Sequence, residues 1–254
     1  MTKTKAPKTA LVTGAAKRIG RAIALVLAQA GYDIGVHYGQ SRDEALALVR
    51  DLEALGVRAH ALQADLSDVA NVSQLIDTAR EALGPLDVLI NNASVFADDR
   101  ARSLTVASWQ MHMDTNLLAP VLLSQAFAGQ TDIRDGASII NMIDQRVLKP
   151  SPPFFSYGLS KAGLWHATRT LAQALAPHIR VNAIGPGPTL KSIHQSEADF
   201  AREARSTLLQ KPTSPEEVAA AVIYLLNAPS VTGQMICVDS GQHLGWKTVD
   251  MMDL

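Results

Sequence analysis

Cysteine is nearly absent: one residue, Cys237, in a chain of 254. No disulfide can form within the chain, and a reducing compartment suits it. Aromatic residues reach only 5%. An excess of charge is missing too, with 23 Lys and Arg against 24 Asp and Glu and a formal net charge of −1. That leaves no global basic field for nucleic acid and no polybasic stripe for a membrane surface. Charge or glycine interrupts every apolar run well before a bilayer-spanning length. Lysines crowd the start, but no apolar stretch with a cleavage site follows, so residues 1–8 read as a disordered leader and the chain as cytoplasmic. The seven histidines show no metal-ligand spacing with one another or with Cys237, so no metal site is expected.

What is present is a large apolar fraction, 47%, enough for one core, and no visible repeat or boundary, so residues 1–254 read as one domain. Strand-like and helix-like stretches alternate. Strands are predicted at 9–13, 32–38, 57–63, 86–91, 137–143, 178–184 and 234–239. Helices are predicted at 18–30, 42–55, 67–83 (with Ser67 as N-cap), 106–127 (kinked at Pro120), 156–176 and 215–226. This rhythm predicts an α/β protein: a doubly wound, seven-stranded parallel sheet of Rossmann type with helices on both faces. Ligands in such sheets sit beyond the carboxyl ends of the strands. Glycine-rich and polar segments fall there, at 14–20, 91–96, from 144 and at 185–189. Residues 186–210 read as a substrate loop, whose Pro- and Gly-bearing first part is long enough to be a lid.

Thr13-Gly14-Ala15-Ala16-Lys17-Arg18-Ile19-Gly20 joins the first strand to the first helix. Small residues let the backbone approach a diphosphate, and the helix start offers N–H groups and a positive dipole end. Arg18 stands where such loops often carry a third glycine, so the site is expected to have an ordinary φ and a guanidinium for phosphate. An acid closing the second strand would grip the ribose 2′-hydroxyl of NAD. Here the strand runs Val36-His37-Tyr38-Gly39-Gln40-Ser41-Arg42, with no acid before Asp43. Arg18, Ser41 and Arg42 could serve a 2′-phosphate, so the cofactor is read as NADP(H). Asp65 ends the third strand and could accept from an adenine amino group or contact the next helix N-terminus.

Tyr157 and Lys161 lie four apart on one helical face. An ammonium beside a phenol favours phenolate and lowers its pKa. Together with TGAAKRIG at 13–20, Asp65-Leu66, Asn91-Asn92-Ala93-Ser94, Asn116, the Val181–Gly187 run and Gly233-Gln234, this pair makes the sequence resemble the short-chain dehydrogenase/reductase family. The resemblance implies hydride transfer from a nicotinamide, a small-molecule substrate and a homotetramer. Tyr157 would be the proton donor. Lys161 would hold the nicotinamide ribose, and Asn116 would sustain a proton relay. Gly14, Arg18, Ile19, His37, Tyr38, Ser41, Asp65, Leu66, Asn91, Ala93, Ser94, Pro186, Gly187 and Thr189 would join Tyr157 and Lys161 around the cofactor.

The family usually has a serine thirteen residues before the tyrosine, and here Asp144 stands there. A carboxylate cannot donate to a carbonyl oxygen turning alkoxide. Two like charges about 4 Å apart at an effective dielectric of about 20 cost on the order of 4 kcal/mol, roughly a thousandfold in rate. Asp144 suits a C=N bond, whose nitrogen takes a proton. Arg18, His37-Tyr38, the 92–96 segment and Asp144 look like the pteridine reductase branch. In it Phe96 would stack a flat pterin on the nicotinamide, and Ser94 and Arg18 would reach its edge and the phosphates. Simpler readings stand beside these: Phe96 as a loop anchor, Asp144 as a turn residue paired with Arg146, and 98–102 as a solvated loop. Trp109 and Trp165 read as core or interface residues. The expected activity is NADPH-dependent reduction of a dihydropterin or dihydrofolate-like substrate. The alternatives are a carbonyl reductase, for instance of 3-oxoacyl thioesters, and a non-catalytic NADP sensor.

Overall fold

The structure, a computed structural model, describes residues 8–132, 134–192 and 195–246. Residues 1–7 of the expected leader lie outside that set, and Lys8 is not leader: it opens the first strand. The strands are β1 (Lys8–Val12), β2 (Tyr32–Tyr38), β3 (Ala59–Gln63), β4 (Val88–Asn91), β5 (Ala137–Met142), β6 (Ile179–Pro186) and β7 (Met235–Val238). The helices are α1 (Arg18–Gln29), α2 (Arg42–Ala54), α3 (Val69–Leu83), α4 (Val106–Met113), α5 (Ala119–Ala128), α6 (Phe155–Leu175), α7 (Glu197–Arg205) and α8 (Pro215–Leu226).

All seven strands pair in parallel, in the order β3-β2-β1-β4-β5-β6-β7. The strands are apolar on both faces because helices cover both. Ala10 and Val12 of β1 pack in one core with Ile23 and Leu27 of α1, Leu48 of α2 and Val222 of α8. Leu11, between them, packs in the other with Leu75 of α3, Leu123 and Phe127 of α5, and Ala172 of α6. The direction of winding reverses between β1 and β4, which opens a crevice at their carboxyl ends. No helix among the described residues is long and apolar enough to cross a membrane.

Two helix details differ from the sequence reading. The N-cap of α3 is Asp68, whose carboxylate accepts the Ala70 N–H at 2.9 Å, not Ser67. Ser67 instead donates its hydroxyl and amide to Asp65. The expected kinked helix at 106–127 is α4 and α5 joined by a π-helical turn, Asp114–Leu118, with the Ala119 N–H reaching Asp114 O. Pro120 has no N–H to bond the Asn116 carbonyl four residues back, so the chain widens just ahead of it. In the 186–210 loop, Ser196 and Asp199 form a capping box that starts α7.

Candidate active site

A cavity of about 920 Å³ runs along the strand carboxyl ends, from the glycine loop to Tyr157. That is toward the upper end for small-molecule sites. The glycine loop is built by its neighbours. Asn92 donates to the carbonyls of Thr13 (2.8 Å) and Gly14 (3.1 Å), and the Thr13 hydroxyl accepts the N–H groups of Asn92 and Ala93. Gly14 has φ +61°, and a Cβ there would lie 3.0 Å from Ala93 Cα. The Gly14 N–H donates to His37 Nδ1 at 3.0 Å, and His37 Nε2 lies 3.1 Å from Ala64 O. The first contact makes Nδ1 an acceptor, so Nε2 carries the proton and the imidazole is neutral. Burial pushes its pKa down to about 4, against a smaller opposing effect of the Ala64 carbonyl.

These features fit a dinucleotide. No side chain caps the start of α1 at Lys17 and no acid lies in its first turn, so its N–H groups and dipole face the cavity. No acid ends β2 on the cavity wall, where Gly39 and Gln40 stand with Lys17. Lys17 also pairs with Glu44 at 2.6 Å. Asp65 lines the same end, its carboxyl held below the usual range by the Ser67 hydroxyl and amide.

Arg18 departs from expectation in its backbone. Its φ is +55°, the left-handed conformation that the absent glycine would favour. Its guanidinium lines the cavity and also makes contacts that were not expected. It donates to the carbonyls of Leu190 and Lys191, each at 3.0 Å, and ties the glycine loop to the segment after β6. That segment forms the outer wall through Thr189, Leu190 and Ser192, with Gln195, Phe200 and Glu203 beyond it.

At the other end Tyr157 Oη donates to Asp144 Oδ2 at 2.9 Å. Asp144 also accepts from the Arg146 N–H (2.8 Å) and guanidinium (3.2 Å). The turn role and the partnership with Tyr157 therefore coexist. Backbone N–H and guanidinium can only donate, so Asp144 is set here as an acceptor. Burial, then the Asp144 charge and hydrogen bond, push the Tyr157 phenol well above its usual pKa. This overturns the expectation of a phenol lowered by Lys161. Lys161 is itself buried, which lowers its pKa to about 8. Its Nζ donates to Met142 O at 2.9 Å and sits 5.8 Å from the Tyr157 ring centroid.

Phe96 stacks on Phe154 with centroids 4.1 Å apart and meets Tyr157 edge-on at 4.8 Å. The Arg146 guanidinium lies over both phenyl rings, at 5.7 and 5.4 Å. Phe154 and the cavity role of Arg146 were missed from sequence. The signal was there in part, since both flank predicted site residues, but nothing local shows that the 150s loop folds back onto Phe96.

Of the other expected site residues, Gly14, Ile19, His37, Leu66, Ala93, Ser94, Gly187 and Thr189 line the cavity with Arg18, Asp65, Phe96, Asp144 and Tyr157. Tyr38, Ser41, Asn91, Asn116, Lys161 and Pro186 do not. Tyr38 packs on the α1 side of the sheet, and Ser41 makes no side-chain cap. Asn91 is fully turned inward, donating to Asn141 Oδ1 at 2.8 Å. Pro188 replaces Pro186 on the wall, because Pro186 still belongs to β6. Asn116 Oδ1 accepts from Val95 N–H and Ser94 Oγ, while Nδ2 donates to Val95 O and Ser160 Oγ. That amide is committed to holding the 94–95 loop, so a relay role would fall to its backbone.

Two further expectations are corrected. Residues 98–102 are not simply solvated: Asp99 is buried and accepts from Ser156. Spacing gave no metal set, yet Cys237, Asp239 and His243 bring ligand atoms within 4.8 Å of one another. Asp239 already accepts from the Gly241 and His243 amides and pairs with the His243 ring, and burial pushes the Cys237 thiol up to about 11. This is a capped turn.

A Rossmann sheet, a glycine loop at a helix start and a buried Tyr–Lys pair beside the cavity define a nicotinamide-dependent oxidoreductase class. Comparison gives the family: the short chain dehydrogenase description matches residues 8–201. The chain belongs to the short-chain dehydrogenase family. A 3-oxoacyl-[acyl-carrier-protein] reductase, FabG, of Staphylococcus aureus is 33% identical over 94% of this chain and all of its own length. Two solved structures of FolM alternative dihydrofolate reductase 1 match more closely in sequence. That of Brucella canis, complexed with NADP, is 44% identical with a TM-score of 0.92, covering 96% of this chain and 97% of its own. That of Brucella suis, also with NADP, is 45% identical with a TM-score of 0.91, covering 96% and 98%.

Proposed function

We propose that this short-chain reductase uses NADPH to reduce a dihydropterin or dihydrofolate-like ring. The observation that carries the reading is the 2.9 Å bond from Tyr157 to Asp144, with Phe96 edge-on to the same tyrosine. The dihydrofolate reductases at 44% and 45% identity support it, and both hold NADP.

NADPH, when bound, supplies the hydride. The glycine loop and the start of α1 would receive its diphosphate, and Lys17 and Gln40 stand beyond β2, which ends without an acid that would repel a 2′-phosphate. Phe96, on the cavity wall, is the aromatic residue this reading assigns to the substrate ring, which would take the place of Phe154 in stacking on it. Tyr157 carries the proton, because burial and Asp144 keep its phenol protonated, and delivers it to a ring nitrogen. Lys161, behind the ring, stabilises the phenolate left after transfer. Asp144 orients the hydroxyl and accepts from a ring amine, the two things a carboxylate can do and a serine-type donor need not.

The second reading, reduction of a 3-oxoacyl thioester, has the S. aureus reductase in its favour. Asp144 counts against it, since an ionised carboxylate cannot donate to the carbonyl oxygen as the family's serine does. NADPH oxidation assayed with dihydrobiopterin, dihydromonapterin, dihydrofolate and a 3-oxoacyl thioester decides between them. Pterin- or folate-dependent oxidation is expected, and activity on the thioester alone would overturn the proposal. A homotetramer in the cytoplasm belongs to the same proposal. Exposed Val106, Trp109 and Leu159 on α4 and α6 give it an apolar face, and a monomer in sedimentation would remove it.

A further inference from the structure

A buried polar chain lies behind the aromatic wall. Asp99, His112 and Ser156 are 6%, 0% and 0% exposed. The Ala97 N–H donates to His112 Nε2 at 3.2 Å, so the ring proton is on Nδ1, 2.6 Å from Ser156 Oγ. Ser156 Oγ in turn donates to Asp99 Oδ2 at 2.5 Å, and the Ser156 N–H donates to Asp99 Oδ1 at 2.9 Å. The Asp99 carbonyl accepts the Phe155 N–H and Asp98 accepts the Phe154 N–H. Burial holds the His112 pKa below its usual value, although Asp99 opposes this.

Each link touches a residue next to the chemistry. Ala97 follows Phe96, and Ser156 precedes Tyr157. Phe154, stacked on Phe96, is the N-cap of α6 and has φ +59°. No side chain of its own caps that helix, so Asp99, from a distant loop, supplies the missing acceptor. Asp99, His112 and Ser156 do not line the cavity, and the His112 ring meets the Tyr157 ring edge-on with centroids 6.0 Å apart.

We infer that Asp99, Ser156 and His112 form a positioning relay that locks the Phe96 loop to the start of α6 and so sets the substrate slot that Phe96 and Tyr157 line together. The relay rests on the proposed ring substrate only for the identity of what fills that slot. Its effect is on substrate placement rather than on cofactor binding, because the glycine loop is held separately by Asn92 and His37.

The test uses Asp99→Ala, His112→Phe and Asp99→Asn in the full chain, with NADPH affinity, dihydrobiopterin kcat and KM, and hydrogen exchange of the Ala97 and Ser156 amides. Asp99→Ala and His112→Phe are expected to raise KM and lower kcat together, by about tenfold to a hundredfold in kcat/KM. NADPH affinity should stay within about twofold, and both amides should lose protection. Asp99→Asn, which retains an acceptor for the Ser156 N–H, should recover most of the loss. Variants that fold with lowered stability but unchanged kcat and KM would overturn the relay, as would Asp99→Asn behaving like Asp99→Ala. If the wild-type protein turns over no pterin or folate, the proposed substrate fails by itself. The amide protection and the same kinetics on a 3-oxoacyl thioester then still judge the relay.

Discussion

At the scale of single residues, the proposed chemistry turns on one carboxylate. Asp144 occupies the place of a family serine and accepts from Tyr157, from a backbone amide and from Arg146. Removing its partner is therefore informative. Tyr157→Phe is expected to lower kcat for a dihydropterin by at least a hundredfold, the usual scale of a lost general acid, while NADPH binding persists. Unchanged kcat in that variant would mean the proton comes from elsewhere. His37 gives a pH prediction. Its folded pKa of about 4 lies below the ordinary histidine value of 6.5, so the unfolded chain takes up a proton first as pH falls. The full contribution is present above pH 6.5 and is lost progressively down to pH 4, about 3 kcal/mol in all. Denaturant melts of wild type and His37→Gln check this: the wild type should fall more steeply across that window.

Asp144, Tyr157 and Lys161 were picked out by spacing together with the family resemblance, and the structure joins the first two by a hydrogen bond. The φ of Arg18 was not. Nothing in its type shows that a non-glycine residue would take +55° and turn its guanidinium to the Leu190 and Lys191 carbonyls. That orientation depends on the segment after β6, which is remote in sequence.

Among the elements, loops are held by polar side chains from other loops, and the starts of α3, α4, α7 and α8 are set by short capping contacts. Gly20, in the first turn of α1, illustrates the tolerance. A Cβ there would overlap Gly14 O and lie 3.0 Å from Ala15 Cα, both backbone. Gly20→Ala should weaken NADPH binding by more than tenfold in a titration, because the loop that receives the diphosphate must move. Binding at wild-type strength would show that the loop has slack. Asp68→Ala at the α3 N-cap, which does not itself line the cavity, should cost about 1 kcal/mol of stability with kcat intact. The order of the strands was readable from hydrophobic periodicity, each to within two residues, but α7 was read as loop and α4 with α5 as one helix. The ends were less so. Ser67 and Asp68 are both good caps by composition, and only the turn that Asp65 makes with Ser67 decides between them. The π-helical turn at 114–118 was read as a proline kink because Pro120 is visible in the sequence and a widened hydrogen-bond ladder is not.

For the whole molecule, the sheet places everything. Its reversal between β1 and β4 brings the 13–20 loop, the 91–96 loop and the start of α6 to one rim, although they come from widely separated parts of the chain. That convergence was foreseeable from strand–helix alternation and the handedness of crossovers. The Phe96–Phe154–Arg146 stack was not, because it depends on how two loops meet above the sheet. Ligand linkage offers a global readout: NADPH at about 100 times its Kd should stabilise the fold by about 2.7 kcal/mol. NADPH should raise Tm by several degrees, and NADH at the same concentration by less. Equal shifts would argue against a 2′-phosphate preference at the end of β2.

Asp144 is proposed to tune this reductase for a ring nitrogen rather than a carbonyl oxygen. The measurement that bears on this is the ratio of kcat/KM for dihydrobiopterin to that for a 3-oxoacyl thioester, in wild type and in Asp144→Ser. The ratio should favour the pterin in the wild type and fall by at least a hundredfold in the variant. A ratio that the substitution leaves unchanged would contradict it.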